Sequence, residues 1–182
     1  MVYADLHRLY RCIVLLALIH CSLLHKAYGQ AIEERGKQRK ALQSVFRAEL
    51  GKDDRQSISQ YLRYTDLTYG YEWCAAFVSW CFAQAGYPQP RTPWSPALFP
   101  ANRTVWKQGK AVADRQIKTG MVWGVHILSK GRIGHAGFVD GERKGIITTV
   151  EGNTKPPGSK GANGVYRKRR ALRTIRTIAE WL

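Results

Sequence analysis

Apolar residues in this chain recur at helical spacing up to about residue 85 and at alternating spacing from about residue 121. A period of 3.6 lines up one face of a helix and a period of 2 one face of a strand, so their order constrains the fold. Leu42, Val45, Phe46 and Leu50 form a helical stripe within residues 31 to about 50, with Gly51 as its stop. Ile58, Tyr61 and Leu62 mark a short second helix through Tyr64, capped by Ser57. Cys74, Phe77, Val78, Cys81, Phe82 and Ala85 mark a third, closed by Gly86 and Pro88. Five of the seven prolines fall between residues 87 and 104, where Trp94 and Phe99 give an ordered loop something to bury. A further short helix is expected over Val105 to Val112. Strands follow: Met121–Leu128, with Trp123, Val125 and Ile127 on one face; His135–Val139, ending in a turn at Asp140-Gly141; Gly145–Val150; and Val165–Leu172. Residues 152–164 read as a Gly/Pro-rich loop, and Ile175, Ile178 and Trp181 give the terminal segment something to bury. Helices first and strands second predict an α+β fold, with the Cys74 helix packed on an antiparallel sheet.

The first 29 residues read differently. Arg8 and Arg11 precede an apolar run from Cys12 to Leu24, and Ala27-Tyr28-Gly29 offers a small-x-small cleavage site before Gln30. That is the pattern of a secretory signal peptide, and the apolar run is short for a membrane span. An uncleaved anchor is the weaker alternative; lipidation at Cys21 is disfavoured by the bulky His20 before it. Loss of Arg8, Arg11, Lys26 and Asp5 with the signal takes the net charge from +16 to +14. The exported chain keeps two cysteines, Cys74 and Cys81. Seven residues apart on one helix, their Cα atoms lie roughly 10 Å apart, too far for a disulfide. An exported protein with two free thiols needs a use for at least one.

Cys74 follows the turn-like Thr68-Tyr69-Gly70 and opens its helix. Unpaired N–H groups and the helix dipole there favour a thiolate. Cys81, mid-helix among core residues, reads as packing. The exported chain has two histidines. His126 falls on the strand face opposite Trp123, Val125 and Ile127, whereas His135 has Gly134, Ala136 and Gly137 as neighbours, small enough for a substrate to come close. The run Thr148-Thr149-Val150 ends in Glu151-Gly152-Asn153, where either Glu151 or Asn153 is placed to accept the second imidazole N–H. Neither a zinc ligand set nor a calcium-loop spacing accompanies them, so no metal and no cofactor is expected.

Together, Trp73-Cys74-Ala75-Ala76-Phe77-Val78-Ser79-Trp80, Gly134-His135-Ala136-Gly137-Phe138-Val139 and Thr149-Val150-Glu151-Gly152-Asn153-Thr154 resemble the CHAP family. These are cysteine, histidine-dependent amidohydrolases/peptidases of papain-like fold that act mostly on bacterial peptidoglycan. The resemblance runs from about Ala41 onward and implies one catalytic domain over residues 30–182. It implies Cys74 as nucleophile, His135 as general base, Glu151 as the residue orienting it and Asn153 as a supporting polar group. Tyr71 and Trp73 are the candidate substrate-binding residues, Tyr71 also a candidate second oxyanion donor beside the backbone N–H of Cys74. One departure stands out: Met121, in Lys118-Thr119-Gly120-Met121, replaces an acid that such proteins commonly carry.

Arg167, Lys168, Arg169, Arg170, Arg173 and Arg176 form the densest cluster of charge. Its plain reading is the solvated face of a strand; its functional reading is attraction to an anionic polymer. With a signal peptide and no zinc-finger or RNA-recognition signature, that polymer is the cell wall and not nucleic acid. The expectation is an exported, monomeric peptidoglycan hydrolase of the periplasm, wall or medium, either an N-acetylmuramoyl-L-alanine amidase or an endopeptidase. Its role in remodelling, in attack on rivals or beside a secretion or conjugation apparatus stays open. The competing class is a catalytically silent, basic wall-binding module.

Overall fold

The computed structural model describes residues 2–109, 117–159 and 162–182, with side chains from residue 20 onward. Two compact units divide between Gln38 and Arg39. The first consists of the N-terminal part of helix α1 (Val2–Ala48), which runs unbroken through Ala27-Tyr28-Gly29. Leu23, Leu24, Tyr28 and Ile32 are exposed along it. Among the described residues no helix is long and apolar enough to cross a membrane.

In the second unit the last turns of α1 bury Leu42 and Phe46 completely, and Phe46 stacks on Phe138 at 4.7 Å between ring centroids. Each such side chain contributes about 1.5–3 kcal/mol when removed from water. Helix α2 (Arg55–Tyr64) buries Ile58, Tyr61 and Leu62 as the spacing predicts, but its cap is Asp54 and not Ser57. The Asp54 carboxylate accepts from the backbone N–H of Ser57 at 2.8 Å and from its hydroxyl at 2.7 Å. Ser57 is the third helical residue, the position whose orphan N–H a capping side chain reaches. Helix α3 (Cys74–Gln84) is buried nearly all round, and Gly86 ends it at φ 89°.

Among the described residues six strands form one antiparallel sheet: β1 (Thr104–Lys107), β2 (Val122–Ile127), β3 (Arg132–Arg143), β4 (Ile146–Thr154), β5 (Gly164–Ala171) and β6 (Thr177–Ala179), in the order β1-β6-β2-β3-β4-β5. Val122, Phe138 and Val150 pack against the helices, and Trp123, Val139 and Ile147 form a second core with Ile175 and Ile178. The fold is therefore α+β, with the Cys74 helix against an antiparallel sheet, as expected.

Three local expectations are corrected. Val105 and Trp106 belong to β1 and not to a helix, because pairing with β6 (Trp106 opposite Ile178) gives these β-branched and aromatic residues a strand partner. Residues 110–112 of that expected helix lie outside the described residues. Asp140-Gly141 is a bulge within β3, not a turn, and its register shift falls between Val139 and Gly141. The buried Asp140 carboxylate accepts from Gln43 Nε2, Arg47 Nε and Arg167 Nη2 at 2.7–3.0 Å, which holds the strand in place there. The hairpin closes instead at Lys144-Gly145, where φ of 51° and 75° suits a two-residue turn. Finally, β4 continues past Val150, so Glu151 is a strand residue.

Candidate active site

Cys74 is the first residue of α3, after Trp73 at the cap. The first helical bond runs from Phe77 N–H to the Trp73 carbonyl at 2.9 Å, so the N–H groups of Cys74, Ala75 and Ala76 have no partner within the helix. Beside it lies Ser95, whose Oγ is 3.4 Å from the Cys74 sulfur. The proline-rich loop is tied down for this contact: Ser79 on α3 donates to the Thr92 carbonyl at 2.9 Å and accepts from Thr92 N–H at 3.0 Å.

His135 lies on β3, four residues into a strand longer than expected. Its Nε2 donates to Glu151 Oε2 at 3.0 Å, and the imidazole also interacts with the Cys74 thiol. The indole of Trp123 meets the imidazole edge-on at 5.5 Å. Glu151 is fully buried, and Thr149 Oγ1 donates to its Oε1 at 2.5 Å. Arg170 on β5 grips the same carboxylate with both ends of its fork, Nε to Oε1 and Nη2 to Oε2, each at 2.7 Å. The guanidinium also lies 4.5 Å from the centroid of the Trp123 ring.

These contacts set the charges. Burial alone would push the Cys74 thiol up, but the hydrogen bond and charge of His135, with Ser95 and the backbone of Ala136, hold it below its ordinary range. Burial likewise disfavours the imidazolium, yet Cys74 and Glu151 raise His135 to about 9. Glu151 shows the reverse: against the cost of burial, Arg170 and then His135 hold it down at about 2. The site is thus a row of guanidinium, carboxylate, imidazole and thiol in which each neighbour favours the charged form of the next. Cys81 has no such company; burial pushes its thiol well up, consistent with a packing role.

The other expected residues fall around this row. Asn153 does not share the direction of Glu151: its φ is 57°, the register with β5 breaks between Glu151 and Thr154, and its Oδ1 accepts from Asn163 at 3.3 Å. Left-handed backbone interrupts the alternation that places i and i+2 on one face. Trp73 is a core residue, 4% exposed and stacked on Tyr61, with one edge at a cleft. Tyr71 is 60% exposed and borders two clefts. One, of about 240 Å³, contains Cys74, Ser95, Trp94 and Arg132; the other, of about 440 Å³, contains Tyr69, Asn153 and Asn163. His126 is exposed on β2. Arg170, Thr149, Ser95 and Trp123 were not legible as site residues. The i, i+2 spacing of Thr149 and Glu151 was one available signal. Arg170 was concealed within a cluster that reads as solvated charge.

The papain-like α+β scaffold brings a thiol, an imidazole and a carboxylate together in one row, an arrangement that can support nucleophilic chemistry. Residues 66–153 match the family model of the CHAP domain, whose family comprises amidase- and peptidase-type hydrolases. The match spans Cys74, His135 and Glu151 and stops short of Arg170. No curated protein and no solved structure matches the chain.

Proposed function

We propose that this protein is an exported peptidoglycan hydrolase that cleaves an amide bond with Cys74 as nucleophile, His135 as general acid and base, and Glu151 as the group that orients it. The observation that carries the reading is the imidazole of His135 held between the thiol and a fully buried carboxylate. The thiolate attacks the scissile carbonyl, and the C=O π pair moves onto oxygen. The N–H of Cys74, without an intrahelical partner, is a donor for that oxyanion, and the Tyr71 hydroxyl is a second candidate. When the C–N bond breaks, imidazolium His135 gives its proton to the leaving amine. Neutral His135 then takes a proton from water, which adds to the thioester; the acid product leaves, and thiolate and imidazolium are restored. Tyr71 and Trp73 border the space where substrate would lie.

Ala27-Tyr28-Gly29 before Gln30 supports export with removal of residues 1–29, which N-terminal sequencing of the secreted protein checks. The chemistry is tested by turbidity loss of purified cell walls, comparing wild type with Cys74→Ala. Clearing by wild type alone is expected. Equal clearing by both would exclude the thiol mechanism, and wall binding without clearing by either would favour the silent module. Mass spectrometry of the released muropeptides distinguishes amidase from endopeptidase.

A further inference from the structure

The cleft that opens on Cys74 carries a cation, Arg132, that shares its only nearby carboxylate among the described lining residues with a second cation. Glu72 is its carboxylate, and Lys130 holds that carboxylate in a close ion pair. Arg132 Nη2 lies 3.9 Å from the same group, beyond hydrogen-bond distance. Two cations therefore share one anion, and among the described residues no carboxylate is hydrogen-bonded to Arg132.

Arg132 is nonetheless held in place. Its guanidinium carbon lies 3.9 Å from the Trp94 ring centroid, and Nη1 donates to the Ile133 carbonyl at 3.0 Å. Trp94, itself 51% exposed, gives the planar group a flat support in the same cleft as the thiol. A guanidinium has five N–H donors in a fixed fork, and one carbonyl does not exhaust them. An oriented, partly desolvated fork with spare donors suits bidentate capture of a carboxylate.

We propose that Arg132 binds a free carboxylate carried by the substrate next to the scissile amide, with Trp94 supporting it. At about 240 Å³ the cleft is smaller than a site for a drug-sized ligand, so the carboxylate must lie close to the bond that Cys74 attacks. The inference rests on the reading of this site as an amide-cleaving centre and specifies its substrate class: an amide with an acidic neighbour, discriminated against the same amide with that acid blocked.

The test uses two muropeptides that differ only in the α-carboxyl of the glutamyl residue, free in one and a primary amide in the other. Wild type, Arg132→Gln and Arg132→Lys are compared by steady-state hydrolysis. Binding of each peptide to Cys74→Ala, with and without Arg132→Gln, is read from tryptophan fluorescence. A charge-assisted pair in a half-open cleft predicts about a tenfold preference for the free acid, expressed in KM. Arg132→Gln should erase that preference and leave kcat within about threefold, and Arg132→Lys should keep part of it. An equal preference in wild type and Arg132→Gln, or no preference in wild type, overturns the proposal. So does an equal fall in kcat on both peptides, which would mean that the guanidinium acts on the thiolate or oxyanion. Should wild type cleave neither peptide, the hydrolase reading fails by itself. The binding comparison still decides the subsite: tighter capture of the free acid, dependent on Arg132, supports it, and equal binding sinks it.

Discussion

Replacing Arg170 with Met removes the fork that holds Glu151 while keeping an apolar stem against Trp123. The carboxylate is fully buried and the Arg170 side chain is 25% exposed, so the pair sits largely out of water. Breaking a buried ion pair by deleting one partner costs about 3–5 kcal/mol. His135 and Thr149 still hold Glu151 in the variant, which argues for the lower end, about 3 kcal/mol. For a unit of this size that corresponds to a fall in Tm of roughly 6–12 °C.

The pH dependence gives this prediction its sign. Glu151 is depressed to about 2, so its pairing stabilises the fold fully above the unfolded carboxylate value, about 4.3, and that contribution is lost as pH falls through about 2. Thermal unfolding of wild type and Arg170→Met, followed by circular dichroism from pH 3 to pH 8, should show the widest gap above pH 5 and a narrowing one below pH 4. In a Glu151→Gln background the same substitution should cost well under half as much. Activity should fall about tenfold in kcat with little change in substrate affinity, because Arg170 acts through Glu151 on the orientation of the imidazole and touches no substrate. A Tm gap of the same size at pH 3 and pH 7, undiminished in the Glu151→Gln background, would refute this. Arg170 would then act by packing on Trp123.

Alkylation of Cys74 by iodoacetamide should reach half its maximal rate below the ordinary thiol range, and His135→Ala should move that midpoint above it, since burial is then unopposed; an unmoved midpoint rules out the pairing. Ser95→Ala should raise the same midpoint by less than about one unit, as fits one weak hydrogen bond. The alkaline limb of the rate profile should fall near 9, where imidazolium His135 loses its proton. The raised His135 also stabilises the fold fully below its unfolded value, about 6.5, and this is lost as pH rises through about 9, so Tm should decline across that window in wild type and not in His135→Gln. Gly152→Ala would set a Cβ 2.7 Å from both Phe77 Cβ and Trp73 Cζ3, pressing on α3. A loss of about 1–3 kcal/mol is expected, and an unchanged Tm would show that β4 and α3 are not closely packed.

Periodicity recovers the elements where burial and local pattern agree. Cys74 to Ala85 reads as a helix because its apolar residues fill a stripe, and the helix lies where the stripe predicts. Val105-Trp106 misleads because four residues carry too little period, and the deciding partner, Ile178 on β6, is 72 positions away. Asp140-Gly141 has turn composition, but three long-range donors (Gln43, Arg47 and Arg167) keep it in the strand. Among site residues, Cys74, His135 and Glu151 each sit in a local setting that singles them out: a helix start, small neighbours, a polar end to a β-branched run. Asn153 sits in the same setting as Glu151, and only its left-handed backbone separates them.

Arg170 shows why a basic strand conceals an interior member. Pairing puts Ile147 opposite Arg170, Thr149 opposite Lys168 and Glu151 opposite Tyr166, so Arg170 reaches Glu151 diagonally along the sheet. Register of that kind is set by both strands, and neither β4 nor β5 declares it alone. The electrostatics still required a partner of this kind. A thiolate and an imidazolium lower each other's cost, and a buried carboxylate next to the imidazolium keeps it charged. That carboxylate would itself be expensive to bury without a further cation. Counting from Cys74 inward, the fourth position is the cation that pairs with the Glu151 carboxylate. Arg170 supplies that charge through both ends of its fork, which leaves Cys74 and His135 as the two groups that the proposed chemistry uses.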